Sequence, residues 1–300
     1  MNGPPLPDKR AVRRSFAHAA ATYDANAFLQ REIAGRLFER LDYIKLAPAT
    51  VLDLGCGTGT VTARLAERFP AARLVALDLA LPMLTHTRAS IKRTWADRLL
   101  RRGSPVDTVC ADAESLPLAG ASVDAVVSSL TLQWCDAGRA IAEAERVLKP
   151  GGLFLFTTFG PDTLKELRAA FRAIDDRPHV NTFIDMHDLG DLMVHAGLAD
   201  PVVDQEVLTL TYAELKPLLA ELKGLGAHNV LPGRARGLMG KSRWQAMVAA
   251  YEAFRRDGRL PATYEVVYGH AWKPAQARQL AKDGAVGISV DDFKRMVTRE

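Results

Sequence analysis

The chain has 300 residues, of which 48% are hydrophobic and 25% are charged. This composition is that of a globular protein long enough to bury a substantial core, and it excludes a disordered or fibrous chain. No apolar run approaches the roughly 20 residues of a membrane span, and the proline-rich start lacks the apolar segment of a secretion signal. The three cysteines have no CxxC spacing, which excludes a disulfide framework and a cysteine-built zinc site. We therefore expect a cytoplasmic protein with no membrane partner and no metal.

The formal net charge is modest, at +4 from 39 basic and 35 acidic residues. Nucleic-acid binders usually concentrate more positive charge on one face, and the chain lacks the mixed basic and aromatic pattern of RNA-binding proteins. We therefore expect no nucleic-acid partner. Basic stretches at residues 9–14, 98–102 and 234–243 are each typical of solvated helix faces and loops, and together they would suit an acidic protein partner.

The predicted elements begin with apolar residues at helical spacing over residues 8–43, which indicate two helices broken near residues 22–26. From residue 50 onwards, short apolar strands alternate with helices. The predicted strands cover residues 50–54, 73–78, 105–110, 123–130 and 153–158. The predicted helices between them cover residues 61–68, 82–95 and 139–148, and a turn is predicted at residues 149–152. This alternation predicts a doubly wound α/β fold with a mostly parallel sheet and right-handed crossovers.

Beyond residue 160 the regular alternation stops. Amphipathic patterns predict further helices at residues 162–174, 187–196, 212–224 and 243–256. Two more strands are predicted at residues 202–211 and 263–272, which brings the number of predicted strands to seven.

A glycine-rich segment, Asp-Leu-Gly-Cys-Gly-Thr-Gly at residues 53–59, follows the first strand, where a doubly wound fold binds its ligand. Glycines there let a ligand approach the backbone and permit unusual φ and ψ angles. The dinucleotide-binding fingerprint is Gly-x-Gly-x-x-Gly, and its third glycine would fall at residue 60, where this chain has Thr60. The Lys and Ser/Thr of a loop that binds a nucleoside triphosphate are also missing. The segment therefore disfavours both NAD and a nucleoside triphosphate.

Acidic residues stand at the ends of the next two strands. Asp78 ends the second strand, where a carboxylate can accept both ribose hydroxyls of a nucleoside. Asp112 and Glu114 follow the third strand, near the expected position of an adenine. Because no Lys or Arg lies in the glycine loop, the combination implies a cofactor that has a nucleoside but no phosphates.

These residues also carry a family resemblance. Residues 51–59, Asp78, Asp112-Ala113 and the Lys-Pro-Gly-Gly at 149–152 resemble the class I S-adenosylmethionine (SAM)-dependent methyltransferases. Further motifs make the chain similar to the family of malonyl-[acyl-carrier protein] O-methyltransferases of early biotin synthesis. These motifs are Phe-x-x-Ala-Ala-x-x-Tyr-Asp (16–24), Leu-Gln-Trp-Cys (132–135), Arg-Pro-His-Val-Asn-x-Phe (177–183), Leu-Lys-Gly-Leu-Gly-Ala-His (222–228) and Leu-Pro-Ala-Thr-Tyr (260–264). The resemblance extends over about residues 8–273.

The resemblance implies a Rossmann-like, seven-stranded, mostly parallel sheet with helical cap insertions and an antiparallel last strand. The strands at residues 202–211 and 263–272 are expected to be neighbouring edge strands. The implied organisation is an N-terminal helical lid (1–47), a methyltransferase domain (48–272) with cap insertions at about 161–183 and 212–261, and a loosely attached tail (273–300).

SAM is the cofactor that the resemblance implies. Asp78 would hold its ribose, Leu79 and Met83 would pack on its adenine, and Ser129 and Leu130 would lie beside its sulfonium. The full set of implied cofactor-binding residues is Asp53, Gly55, Cys56, Gly57, Gly59, Asp78, Leu79, Met83, Asp112, Ala113, Ser129 and Leu130. Within this set, Cys56 is expected to be a small filler and not a nucleophile.

The implied acceptor is the free carboxylate of a malonyl thioester on an acyl carrier protein. Such a carboxylate is ionised at pH 7, so the reaction needs orientation and a polar or cationic partner but no general base. The catalytic candidates are Tyr23, Gln133 and His179. The substrate-binding candidates are Tyr23, Trp134, Arg168, Arg177, His179, Asn181, Lys223 and His228. Because carrier proteins are acidic, Lys223 and residues 234–243 are expected to steer docking.

Two alternatives share the glycine loop. The chain could methylate another small acceptor, such as a quinone or sterol precursor. It could also be a methyltransferase-fold assembly factor that modifies or binds a subunit of a respiratory complex. Asp78 and the motifs of the cap insertions favour the carboxyl methyltransferase over both.

Overall fold

The computed structural model describes residues 6–91, 106–234, 237 and 239–275. The basic stretch at residues 98–102 and residues 276–300 of the expected tail lie outside these ranges. The strands of the described chain are β1 (Thr50–Leu54), β2 (Arg73–Asp78), β3 (Val106–Cys110), β4 (Val123–Ser129), β5 (Leu148–Phe159), β6 (Ala199–Tyr212) and β7 (Leu260–Trp272). They form one seven-stranded sheet in the order β3-β2-β1-β4-β5-β7-β6.

Helices cover both faces of this sheet. Those in the described ranges are α1 (Lys9–Ala19), α2 (Tyr23–Asn26), α3 (Phe28–Asp42), α4 (Thr60–Arg68), α5 (Leu81–Ser90), α6 (Ala137–Val147), α7 (Lys165–Arg172), α8 (Met186–His195), α9 (Leu215–Gly224) and α10 (Lys241–Glu252). A single 3-10 turn is formed by Leu132–Trp134. Among the described helices, none combines the length and the apolar character that crossing a membrane requires.

The predicted fold class is confirmed. Strands β1 to β5 pair in parallel, and β7 runs antiparallel to both of its neighbours, β5 and β6. The prediction that β6 and β7 are both edge strands is wrong for β7, which lies between β5 and β6. Its residues are buried almost without interruption, as in a central strand, whereas half-buried and exposed positions alternate along much of β6, as in an edge strand.

Several element boundaries differ from the prediction for local reasons. The predicted turn at residues 149–152 belongs to β5, which starts at Leu148 and joins β4 through a register shift between Val123 and Ala125. The helix predicted from residue 162 begins only at Lys165 because Leu164 has a left-handed backbone, with φ 54°. At the N-terminus, the predicted break between two helices contains the short helix α2.

The sheet register brings the loops that follow β1 and β2 together. Asp53 and Leu54 pair with Ala76 and Leu77, so both strands end at the same level. The backbone N–H groups of Gly55 and Cys56 then donate to the carbonyl oxygen of Leu77, at 2.8 and 2.9 Å. Because parallel strands place their carboxyl ends on one edge, the glycine loop and Asp78 share that edge.

The N-terminal helices lie across this edge and contact the segment that contains α9. The Thr22 hydroxyl donates to the carbonyl oxygen of Gly224 at 3.0 Å, and the Asp8 N–H donates to that of Val230 at 3.0 Å. Behind them, Leu29 and Ile33 of α3 pack into a core shared with α7, α9, α10 and β7. The two segments therefore meet above the carboxyl ends of the strands.

Candidate active site

Two adjoining cavities open at the carboxyl ends of the parallel strands. The first, here called the loop cavity, has about 600 Å³ and is bounded by the glycine loop, the ends of β2 to β4 and α1. The second, the cap cavity, has about 850 Å³ and lies between α2, α3, α7, α9 and residues 179–183. Four residues line both cavities and are called the junction: Phe16, Tyr23, Leu130 and Trp134.

The glycine loop owes its shape to left-handed residues. Gly55 has φ +78°, and a Cβ built there would lie 2.0 Å from the Thr131 hydroxyl oxygen, so no side chain fits. Gly57 has φ +55°, and nothing lies within 4 Å of a Cβ built there. Because Gly57 lines the loop cavity, its bare backbone is open to direct contact with a ligand.

Asp78 joins the loops after β1 and β2. Its Oδ2 accepts the N–H of Gly57 at 3.0 Å, and its Oδ1 accepts that of Ala80 at 2.8 Å. Burial raises the pKa of the carboxyl group. A carboxylate has about four lone-pair sites, so two remain free to accept the hydroxyl groups of a sugar.

Asp53 lies beneath the glycine loop and does not line the loop cavity. Only 2% of the residue is exposed, and its Oδ2 accepts the Thr62 hydroxyl at 2.5 Å. Its Oδ1 is buried and has no partner among the described residues. Burial raises the pKa of Asp53 to about 7. Burial likewise raises the pKa of the Cys56 thiol well above its usual value, which favours the uncharged thiol.

Lys9 lines the loop cavity and was not among the residues predicted from the sequence. Its Nζ lies 2.8 Å from Asp112 Oδ1 and 2.8 Å from Glu114 Oε1, so α1 is held over the loop cavity. Asp112, expected near an adenine, therefore also anchors this helix. The sequence offers one signal: Asp8 caps α1 by accepting the N–H groups of Arg10 and Ala11, which puts Lys9 at the first helical position.

The junction is shaped by contacts between α1, β4 and the 3-10 turn. Phe16 meets Trp134 edge to face, with 5.1 Å between ring centroids. Leu130 has a left-handed backbone, with φ 53°. The Gln133 side chain holds this turn, since its Nε2 donates to Leu130 O at 2.8 Å and its Oε1 accepts the Thr158 hydroxyl at 3.1 Å. Gln133, a predicted catalytic residue, thus positions Leu130.

Two predicted substrate residues line the cap cavity and make hydrogen bonds within the protein. The Nε2 of His179 pairs with Asp175 Oδ1 at 2.7 Å, and its ring stacks on Phe171 at 4.2 Å. Asn181 accepts the Val230 N–H at 3.2 Å and donates to His228 O at 3.4 Å. Both residues therefore fix the wall of the cavity.

Other predicted residues lie elsewhere. Arg168, Arg177, Lys223 and His228 do not line the cap cavity, and Asp53, Cys56 and Gly59 do not line the loop cavity. The Arg168 guanidinium donates to the carbonyl oxygens of Pro161 and Thr163, at 2.7 and 3.0 Å, which stabilises the turn before α7. The loop cavity does bring together Gly55, Gly57, Asp78, Leu79, Met83, Asp112, Ala113, Ser129 and Leu130.

Comparisons with known proteins agree with this arrangement. Residues 52–156 match a methyltransferase domain family. The chain is 53% identical over 282 residues to a malonyl-[acyl-carrier protein] O-methyltransferase of Gallionella capsiferriformans, a match that covers 94% of the chain and 96% of the relative. It is 54% identical over 280 residues to the enzyme of that name from Laribacter hongkongensis, covering 92% and 94%.

The solved structure of the [4+2]-cyclase SpnF has the same fold, with a TM-score of 0.58 and 20% sequence identity over 92% of this chain and 100% of that one. Fold, glycine loop and domain match together define a class I SAM-dependent methyltransferase. The open backbone at Gly57 and the free lone pairs of Asp78 fit a nucleoside cofactor of this kind. With more than half of its residues identical to those of its relatives over nine tenths of its length, the chain belongs to the malonyl-[acyl-carrier protein] O-methyltransferase family.

The Asp78→Asn variant should bind SAM at least about tenfold more weakly than the unaltered protein. An amide supplies one accepting oxygen where the carboxylate supplies two, and hydrogen bonds to a charged group contribute about 1.5–3 kcal/mol each. Isothermal titration calorimetry measures the affinity. Asp107→Asn is the matched control, because Asp107 is an exposed strand carboxylate paired with Arg73. Equal SAM affinities for the two variants would contradict the role of Asp78.

The raised pKa of Asp53 predicts a pH-dependent stability. Below about pH 4 the carboxyl is protonated in both states and contributes nothing. Between pH 4 and 7 it ionises in the unfolded state but not in the folded one, so the free energy of unfolding falls as the pH rises. Above pH 7 it is ionised in both states, and the free energy of unfolding falls no further on its account.

The Asp53→Asn variant cannot ionise at this position, so its free energy of unfolding should not show this fall with pH. The difference in unfolding free energy between the unaltered protein and the variant should therefore shift by about 1 kcal/mol or more between pH 4.5 and 7.5. Urea denaturation at a series of pH values measures it. A difference that does not change with pH would show that Asp53 has an ordinary pKa.

Proposed function

We propose that the chain transfers the methyl group of SAM to the free carboxylate of a malonyl thioester on an acyl carrier protein, an early step of biotin synthesis. The observation that carries the proposal is the junction, where a cavity suited to the nucleoside cofactor meets a larger, mostly apolar cavity. The names of the relatives support the choice of acceptor. The loop cavity is proposed for SAM and the cap cavity for the acyl chain.

SAM, when bound, supplies a methyl group on a positively charged sulfur, which is already a strong electrophile. The chain therefore has to align donor and acceptor and exclude water, and alignment alone can lower a barrier by about 7–11 kcal/mol. The left-handed turn at Leu130 and the Phe16–Trp134 contact give the junction fixed walls. The malonyl carboxylate is ionised at pH 7, so the proposal requires no residue to remove a proton.

Neutral hydrogen-bond donors at the junction suit this reaction better than a cation does. No Lys or Arg of the described ranges lines the cap cavity. As a methyl group passes from a sulfonium to a carboxylate, both charges disappear. A fixed cation beside the carboxylate would stabilise the ionised substrate more than the transition state, and so slow the reaction.

Tyr23 and Trp134 supply such neutral donors. Neither the Tyr23 hydroxyl nor the Trp134 indole N–H is bonded to a described residue, and both side chains line both cavities. Burial, with the nearby carboxylates of Asp78 and Asp24, raises the pKa of Tyr23, so its hydroxyl keeps its proton. We assign the carboxylate to these two donors, and to Gln133 and His179 the positioning of the surrounding walls.

Docking of the carrier protein is proposed to use cations outside the cavities. Lys223 is exposed and forms no ion pair within the described residues, whereas Arg234 pairs with Asp8 and Arg243 with Asp175. An acidic partner could pair directly with Lys223, whereas it would have to compete with Asp8 and Asp175 for the two arginines. The three cysteines are free thiols, which agrees with a cytoplasmic location.

The purified chain, with SAM and malonyl-carrier protein, should give a product heavier by one methylene group, detected by intact-protein mass spectrometry. Acetyl-carrier protein lacks the carboxylate and should give no such product. Added salt should slow turnover of malonyl-carrier protein more than that of a small malonyl thioester, because exposed charges are screened. Methylation of the acetyl form would overturn the proposed acceptor, and equal salt sensitivity would overturn the docking proposal.

The Tyr23→Phe variant should lose about tenfold or more in kcat/KM for malonyl-carrier protein, since one donor to a charged carboxylate is removed. Its affinity for SAM, measured by calorimetry, should change less than threefold. Tyr43→Phe is the control, because Tyr43 is 90% exposed and distant from both cavities. A loss of SAM affinity as large as the loss of kcat/KM would instead make Tyr23 a cofactor residue.

A further inference from the structure

The cap cavity contains one side-chain amide that has no hydrogen-bond partner among the described residues, that of Gln30 on α3. Its Oε1 is buried and accepts no hydrogen bond from the described residues, and its Nε2 has no partner among them either. The described chain has one other buried side-chain oxygen of this kind, Asp53 Oδ1 beneath the glycine loop. Unpartnered buried polar atoms are rare enough in folded proteins to need a cause.

The neighbouring amides of the cavity wall are all engaged. Asn181 bonds the backbone at Val230 and His228, and Asn229 bonds that at Pro178 and Leu231. Gln133 bonds Leu130 and Thr158. The carboxylate of Glu221 accepts the Tyr212 hydroxyl at 2.9 Å. Gln30 is therefore the one amide of this cavity that keeps both its donor and its acceptor for a ligand.

We propose that Gln30 binds a secondary amide of the pantetheine arm that carries the malonyl group, with Oε1 accepting the amide N–H and Nε2 donating to the amide oxygen. This inference rests on the proposed function. An ionised carboxylate has no donor and cannot satisfy Oε1, whereas a secondary amide offers one donor and one acceptor. The pantetheine arm contains two such amides separated by methylene groups.

The rest of the cavity agrees with this occupant. The cavity that Gln30 lines is mostly apolar, and its wall includes the side chains of Leu29, Leu167 and Leu222. Apolar walls suit the methylene groups of the arm, and an amide buried among them needs a polar partner. With the carboxylate at the junction, the arm occupies the remainder of the cap cavity, where Gln30 lies.

The test compares two variants on two substrates. Gln30→Met replaces the amide with an apolar side chain of similar length, and Glu39→Gln alters an exposed residue on the same helix as a control. One substrate is malonyl-pantetheine; the other is the malonyl thioester of propanethiol, which contains no amide. Gln30→Met should lower kcat/KM for malonyl-pantetheine about tenfold more than for the propyl thioester, and Glu39→Gln should change neither.

Stability gives an independent readout. Removing a buried oxygen that has no partner should not destabilise the free protein, so Gln30→Met should melt at the same temperature as the unaltered chain or about 2 °C higher. Equal losses on the two substrates would overturn the role of Gln30, whatever the melting temperature. If the unaltered chain did not methylate malonyl-carrier protein, the proposed function itself would fail, so the two failures are distinguishable.

Discussion

The two backbone hydrogen bonds that Asp78 accepts tie the glycine loop to the end of β2. Burial opposes the ionised form of this carboxyl, and the N–H groups of Gly57 and Ala80 compensate in part. On the opposite side, the Thr87 hydroxyl donates to Gly57 O at 2.8 Å, so Gly57 is held from two directions. Because Gly57 has no side chain, its backbone is exposed to the loop cavity. The shape of that cavity follows from these contacts. Burial raises the pKa of Tyr23 at the junction, and the Asp78 carboxylate adds to this effect.

Polar contacts at the loop cavity add to the apolar packing of the N-terminal helices. Lys9 pairs with Asp112 and Glu114, and Asp24 accepts the Thr58 hydroxyl at 2.6 Å. Ion pairs that are partly exposed contribute only about 0–1 kcal/mol each, so most of the stabilisation comes from buried side chains such as Val12, Leu29 and Ile33. Because Lys9 and Asp112 both line the loop cavity, a ligand in that cavity would contact the ion pair that holds α1.

The sequence predicts the parts of the site that are local in the chain. The alternation of strands and helices gives the parallel sheet, and the glycine loop with Asp78 gives the loop cavity. The central position of β7 was missed because an antiparallel strand added late can pair at either side of a neighbour. Lys9 was missed because it reaches Asp112 across 103 residues. That the Gln30 amide lacks a hydrogen-bond partner among the described residues can be recognised only when the partners of the neighbouring amides are known.

The proposed docking and the chemistry involve different residues. Two cations of the segments around the cap cavity satisfy protein groups: Arg168 donates to backbone carbonyl oxygens, and Arg243 pairs with Asp175. Within the described chain, no Lys or Arg lines the cap cavity. The reaction consumes one positive and one negative charge, so a cavity without a cation avoids stabilising the ionised substrate more than the transition state. Under this proposal, surface cations attract the acidic carrier protein, and neutral donors bind the malonyl carboxylate at the junction. Because separate groups are involved, strong attraction of the carrier need not stabilise the ionised carboxylate.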